Sequence, residues 1–147
     1  MQVKSCKIFQ MEVFLMATTT VSARDKTFDN PVYQAYQILH LGFTAAPILF
    51  GLDKFLNLMV DWSQYLAPFV ANIIPATTFM LIVGVVEVIA GLLVFFKPRI
   101  GAYVVAAWLL AIIVNLLIAG FFDIALRDFG LFLGALALAR LSETFAS

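Results

Sequence analysis

Long apolar runs, separated by short charged or proline-bearing breaks, set the pattern of this chain. A helix needs about 20 mostly apolar residues to cross the hydrocarbon layer of a membrane. Three runs meet that length, at about 33–55, 77–96 and 100–122. A fourth is awkward, because only 11 residues separate Asp128 from Arg140. To cross, it has to run from about 123 to 141, which draws Arg127 and Asp128 to membrane depth or thins the bilayer around them. The pattern predicts an all-α fold, a four-transmembrane-helix bundle. Between the first two runs, residues 59–74 mix Asp61, Trp62, Gln64, Tyr65 and Pro68 with apolar neighbours. Trp and Tyr favour the headgroup level, so this segment reads as a short interfacial helix.

Composition sharpens the class. Of the 147 residues, 63% are apolar, against about 45–50% in soluble domains, and 12% are charged. Net charge is zero, which offers nucleic acid no electrostatic foothold. The lone Cys6 excludes an internal disulfide and a CxxC redox pair, and the lone His40 excludes a multi-histidine metal site within one copy. Phosphate-loop, zinc and nucleophile-elbow signatures are missing from the sequence, so no catalytic residue is assigned and no metal is expected.

Lys4, Lys7, Arg24, Lys26, Lys97, Arg99 and Arg140 fall on one side of the predicted membrane, against Lys54 and Arg127 on the other. Basic residues stay in the cytoplasm, so both termini are expected there, in agreement with an even number of crossings. Residues 1–30 read as a polar cytoplasmic arm without a cleavable signal pattern, and Met11 and Met16 are further candidate starts.

The centre of the second run holds Glu87, ten residues from one end and nine from the other. A carboxylate at that depth costs roughly 2.5–3.5 kcal/mol on insertion and needs a partner. Gly84 and Gly91 share its helix face, which lets a neighbouring helix approach. Gly51 on the first run, and Gly130 and Gly134 on the fourth, are further candidate packing positions. Counting 1.5 Å per residue brings Asn115 and Arg127 to one level, from which a long arginine reaches toward Glu87. The expected buried cluster is therefore Glu87, Asn115 and Arg127, with Asp123 or Asp128 beside them. It serves packing specificity, a quinone or lipid headgroup, or a proton path. Gln37, His40 and Thr44 form a possible second polar site, either a satisfied packing group or a ligand for a haem, a pigment or a quinone carbonyl.

Four segments together resemble the DoxX-like family of small bacterial membrane proteins. They are Phe50-Gly51-Leu52-Asp53-Lys54-Phe55, Val83-Gly84-Val85-Val86-Glu87-Val88-Ile89-Ala90-Gly91, Lys97-Pro98-Arg99 and Asp123-Ile124-Ala125-Leu126-Arg127-Asp128. The likeness covers about residues 33–141. It implies a four-helix protein of the bacterial inner membrane, associated with a redox complex or with a quinone oxidoreductase. It matches Glu87, Arg127, Asp128, Gly51, Asp53 and Lys54 to the polar and glycine positions of the family pattern, without a catalytic role for any. The expected function is an accessory or scaffold subunit of an oxidoreductase complex, with a quinone-binding subunit as the alternative. Expected partners are the lipid bilayer and either other proteins of the complex or further copies of the chain. With one cysteine, the chain is not expected to handle sulfur by itself.

Overall fold

The computed structural model describes residues 11, 12, 26 and 29–146, so most of the predicted N-terminal arm lies outside the described residues. The described residues are helical, with turns and no strand. Four long helices pack together: α1 (Pro31–Leu56), α3 (Ala76–Phe96), α4 (Pro98–Ala119) and α5 (Phe122–Phe145), with a one-turn α2 (Pro68–Ala71) between the first two. Residues 59–74 are thus not one interfacial helix. They form a 3₁₀ turn, Trp62–Tyr65, followed by the single turn of α2. Pro68, without an N–H, suits only the first turn of a helix and divides the segment there.

Helix boundaries follow local chemistry. Asn30 caps α1 by accepting a hydrogen bond from the Val32 amide at 3.0 Å, with Pro31 in the first position. Asn57, in the left-handed region at φ 49°, ends it. Only Lys97 separates α3 from α4, and Pro98 opens the new helix. The reversal is tight enough that a Cβ on Gly101 would collide with the Val94 backbone. Gly120, at φ 87°, ends α4 and lets α5 begin two residues later.

α1, α3 and α4, of 26, 21 and 22 residues, are long and apolar enough to cross a membrane, as expected of a multi-pass membrane protein. α5 has 24 residues but carries Asp123, Arg127, Asp128, Arg140 and Glu143, and it does not meet that standard of apolarity. The interior is built of small residues: Ala90, Ala102, Ala106, Ala135 and Ala139 pack with Val94, Val105 and Leu138. Small side chains let helices approach closely where hydrophobic sorting cannot drive association. Outward-facing positions such as Ile38, Leu41, Ile89, Ile118 and Leu126 leave large apolar side chains uncovered, as a lipid-facing surface requires.

A close helix crossing joins α1 to antiparallel α3. A Cβ on Gly51 would lie 2.6 Å from the Gly84 carbonyl oxygen, and one on Gly84 would lie 2.7 Å from that of Gly51. Two turns along, a Cβ on Gly91 would lie 2.9 Å from the Thr44 carbonyl oxygen. On α5 the predicted stripe differs in part. Gly134 abuts Phe43, but a Cβ on Gly130 would touch nothing within 4 Å. Gly130 is therefore not a packing position, and the inward face of α5 is instead Ala125, Asp128, Ala135, Leu138, Ala139 and Ser142.

These geometries predict opposite outcomes for one substitution. Gly84→Ala forces two backbones apart and is expected to cost about 1–3 kcal/mol, as overpacking does. Gly130→Ala is expected to be neutral or stabilising by up to about 1 kcal/mol through helix propensity. Thermal unfolding in detergent orders the two variants.

Candidate functional site

The glycine crossing determines what Glu87 meets. In a helix, side chains lean toward the N-terminus. α1 and α3 run antiparallel, so Lys54 leans along α1 toward mid-bundle and Glu87 leans along α3 in the opposite sense. Their Cα positions lie three residues beyond Gly51 and Gly84 respectively, in opposite directions. The two side chains close that gap, and Lys54 Nζ donates to Glu87 Oε2 at 2.6 Å, with both residues buried.

The cation that meets Glu87 is therefore Lys54, not Arg127. The Arg127 side chain is 65% exposed, and its Nε donates to Oδ1 of its neighbour Asp128 at 3.0 Å. Asp128 itself is buried and close enough to Glu87 for the two carboxylates to repel. The Lys54–Glu87 pair thus ties α1 to α3, while Asp128 on α5 pairs with its own neighbour Arg127. Asp123 is exposed on α5 and takes no part. Trp108 brings its indole near Glu87 from α4, but its buried Nε1 has no hydrogen-bond partner.

Asn115 is also drawn away from the predicted cluster. Its Oδ1 accepts from the Ala67 amide at 3.0 Å, and its Nδ2 donates to the Tyr65 carbonyl at 2.8 Å. One side-chain amide therefore satisfies a donor and an acceptor of the non-helical connection, which at membrane depth would otherwise be costly. The α1 end of the same connection is held by Asp53. Its Oδ1 accepts from the Leu58 and Met59 amides at 3.0 and 3.1 Å, and its Oδ2 accepts from Trp62 Nε1 at 2.8 Å. The Trp62 ring in turn lies over Lys54, whose ammonium is 4.0 Å from the ring centroid. Ring contacts run from Phe50 through Trp62 and Tyr65 to Phe121 and carry the connection across the end of the bundle. At its exposed start, Asp61 accepts from the Ser63 amide and hydroxyl, which hold its carboxyl below the usual carboxylate range and keep the 3₁₀ turn capped.

Gln37, His40 and Thr44 do not converge. Gln37 Nε2 donates to the Tyr33 hydroxyl at 2.6 Å, and the Thr44 hydroxyl is buried without a partner. His40 Nε2 lies 3.1 Å from the Val94 carbonyl oxygen, with its ring stacked on Tyr36 and Phe95. The reason is covalent. The helical donor to Val94 would be residue 98, a proline without an N–H. His40, with its proton on Nε2, supplies the missing bond and so commits that nitrogen.

Among the described residues, no group of three or more His, Cys, Asp and Glu side chains is placed to hold a metal ion. One apolar groove, of about 440 Å³, opens between α3 and α4 and is lined by Val86, Ile89, Leu93, Val104 and Trp108, among others. Comparison with protein families, with curated proteins and with solved structures finds no match to this chain.

Sequence reasoning missed Lys54 because it was assigned to the membrane boundary. Its signal was the matched spacing Gly51-x-x-Lys54 and Gly84-x-x-Glu87 on two helices of opposite direction. Lys54→Met leaves Glu87 buried without its cation and is expected to destabilise by about 3–5 kcal/mol. The double replacement Lys54→Met with Glu87→Leu is expected to recover most of that loss, and Arg127→Ala is expected to cost much less than Lys54→Met. Unfolding midpoints of the four proteins in one detergent check both orderings.

Proposed function

We propose that the chain is an accessory or scaffold subunit of a membrane redox complex, related to the DoxX-like proteins it resembles. The observation that supports the scaffold reading is how the deep polar groups are used. Lys54 holds Glu87, Asp53 holds the backbone and Trp62, Asn115 holds the connection, and His40 holds Val94. These side chains are engaged in fixing helices and their connection to one another, as a rigid packing partner requires. Exposed apolar faces on all four long helices leave room for partner proteins or further copies. The redox association rests on the resemblance alone.

In this reading α5 is a fourth crossing, both termini are cytoplasmic and the membrane is the bacterial inner membrane. α5 is about 36 Å long at 1.5 Å per residue, and Arg127 and Arg140 lie near its two ends, where arginine side chains extend to the interface. A reporter fused to the C-terminus is expected to be active only as a cytoplasmic fusion. Periplasmic activity of that fusion rejects a fourth crossing combined with cytoplasmic termini.

A second reading, a quinone-binding subunit, is favoured by one feature. The groove between α3 and α4 is lined by Trp108, whose indole also approaches the buried Glu87, so an apolar slot lies beside a deep carboxylate. Purification in mild detergent followed by mass spectrometry and quinone extraction separates the readings. Stoichiometric co-purification of redox proteins is the result expected for a scaffold. Recovery of the chain without them, but with bound quinone, rejects that role in favour of the second reading.

A further inference from the structure

The end of the bundle opposite the Trp62 connection is basic. Lys97 forms the link between α3 and α4, Arg99 stands in the first turn of α4, and Arg140 stands near the end of α5. All three are exposed. Arg99 and Arg140 both turn to the same carboxylate oxygen, Glu143 Oε1, at 3.7 and 3.2 Å, and the Tyr103 hydroxyl approaches it at 3.5 Å. One carboxylate thus gathers two guanidiniums into a small area without neutralising them. Among the described residues near this end in the chain, Lys26, Lys97, Arg99 and Arg140 outnumber Asp29 and Glu143. Because α3 and α4 are both long and apolar enough to cross a membrane, their link lies at a membrane surface.

The α3–α4 groove begins just above this charge. Leu93 lies four residues before Lys97 and Val104 five residues after Arg99, so the groove starts about 6–8 Å deeper than the cations. It then continues toward Val86 and Trp108. Its volume of about 440 Å³ falls in the usual range of ligand sites, about 300–1,000 Å³. A positive patch at headgroup level and an apolar slot running inward from it match the two parts of one molecule.

We propose that this end of the protein binds an anionic phospholipid, with its phosphate among Lys97, Arg99 and Arg140 and one acyl chain in the groove between α3 and α4. Basic pockets between transmembrane helices at a membrane surface suit such headgroups. The bidentate fork of arginine suits phosphate oxygens in particular. A quinone, lacking a phosphate, offers the arginines only neutral carbonyl acceptors and no charge to pair. The inference does not depend on the accessory-subunit reading.

Trp108 supplies the readout, because it lines the groove while Trp62 lies at the other end of the bundle. The protein in phosphatidylcholine nanodiscs is given equal minor fractions of phosphatidylglycerol or phosphatidylcholine carrying brominated acyl chains, and tryptophan quenching is measured. Brominated phosphatidylglycerol is expected to quench severalfold more strongly. Each of Arg99→Gln and Arg140→Gln is expected to lower that preference about fivefold. Trp108→Phe is expected to abolish the selective component. Equal quenching by the two lipids hands the groove to neutral lipid or quinone and overturns the proposal. Selective quenching that persists in Trp108→Phe places the chain elsewhere and overturns it as well.

Discussion

A buried carboxylate within an apolar bundle is tolerated only if a cation reaches it, and here that cation comes from the end of another helix. The 2.6 Å contact of Lys54 with Glu87 depends on the glycine crossing beneath it. Any side chain at Gly51 or Gly84 would push α1 and α3 apart and lengthen the contact. The same lysine is covered by Trp62, which is held by Asp53, so the ion pair, the crossing and the connection over the end of the bundle are one structural unit. Such a unit is asymmetric in energy. Removing one charge strands the other in a medium that solvates it poorly, whereas removing both leaves an apolar contact. The pair therefore contributes to specificity of register more than to stability. It permits one alignment of α1 on α3, where apolar side chains alone would permit several.

The non-helical segment between α1 and α3 poses the second constraint. Its 3₁₀ turn and the single turn of α2 pair only part of its backbone, and the residues flanking it belong to helices that fit a membrane. Asp53 and Asn115 answer this from opposite sides, each bonding two backbone groups. At the other end, Pro98 deprives Val94 of a donor, and His40 supplies one. In all three places a polar side chain inside the bundle completes the backbone of a different element. That use explains why these polar residues, two on α1 and one on α4, do not collect into a single reaction centre.

Much of the helical framework was legible in the sequence. The four runs anticipated α1, α3, α4 and α5 with ends displaced by no more than four residues, because apolar length and the Pro and Gly breaks govern both. The polarity of α5 was also visible as its short apolar core between Asp128 and Arg140, and α5 is the long helix that falls short of a crossing by apolarity. The polar interior was only half legible. Glu87 and Asp128 were placed in the bundle by their depth, and both are buried. Arg127 and Lys54 exchanged roles, because hydropathy assigns a terminal lysine to the interface without regard to the lean of its side chain. Asn115 was read as a partner for side chains when it serves backbone groups, which a sequence does not display as donors and acceptors.

The lean of side chains toward helix N-termini resolves the exchange. Arg127 is in the first turns of α5, so its side chain leans back toward the start of its helix and away from mid-bundle. Lys54 is near the last turn of α1, so the same rule sends it inward along the helix. A cation close to the C-terminal end of a membrane helix is therefore better placed to neutralise a deep acid than one close to the N-terminal end, even when a count of residues puts both at similar depth. The geometry bears this out through exposure: the Lys54 side chain is 4% exposed and that of Arg127 is 65% exposed. Direction along the helix, as well as distance from its end, decides which charges of a membrane bundle are available to its interior and which are left for the lipid surface.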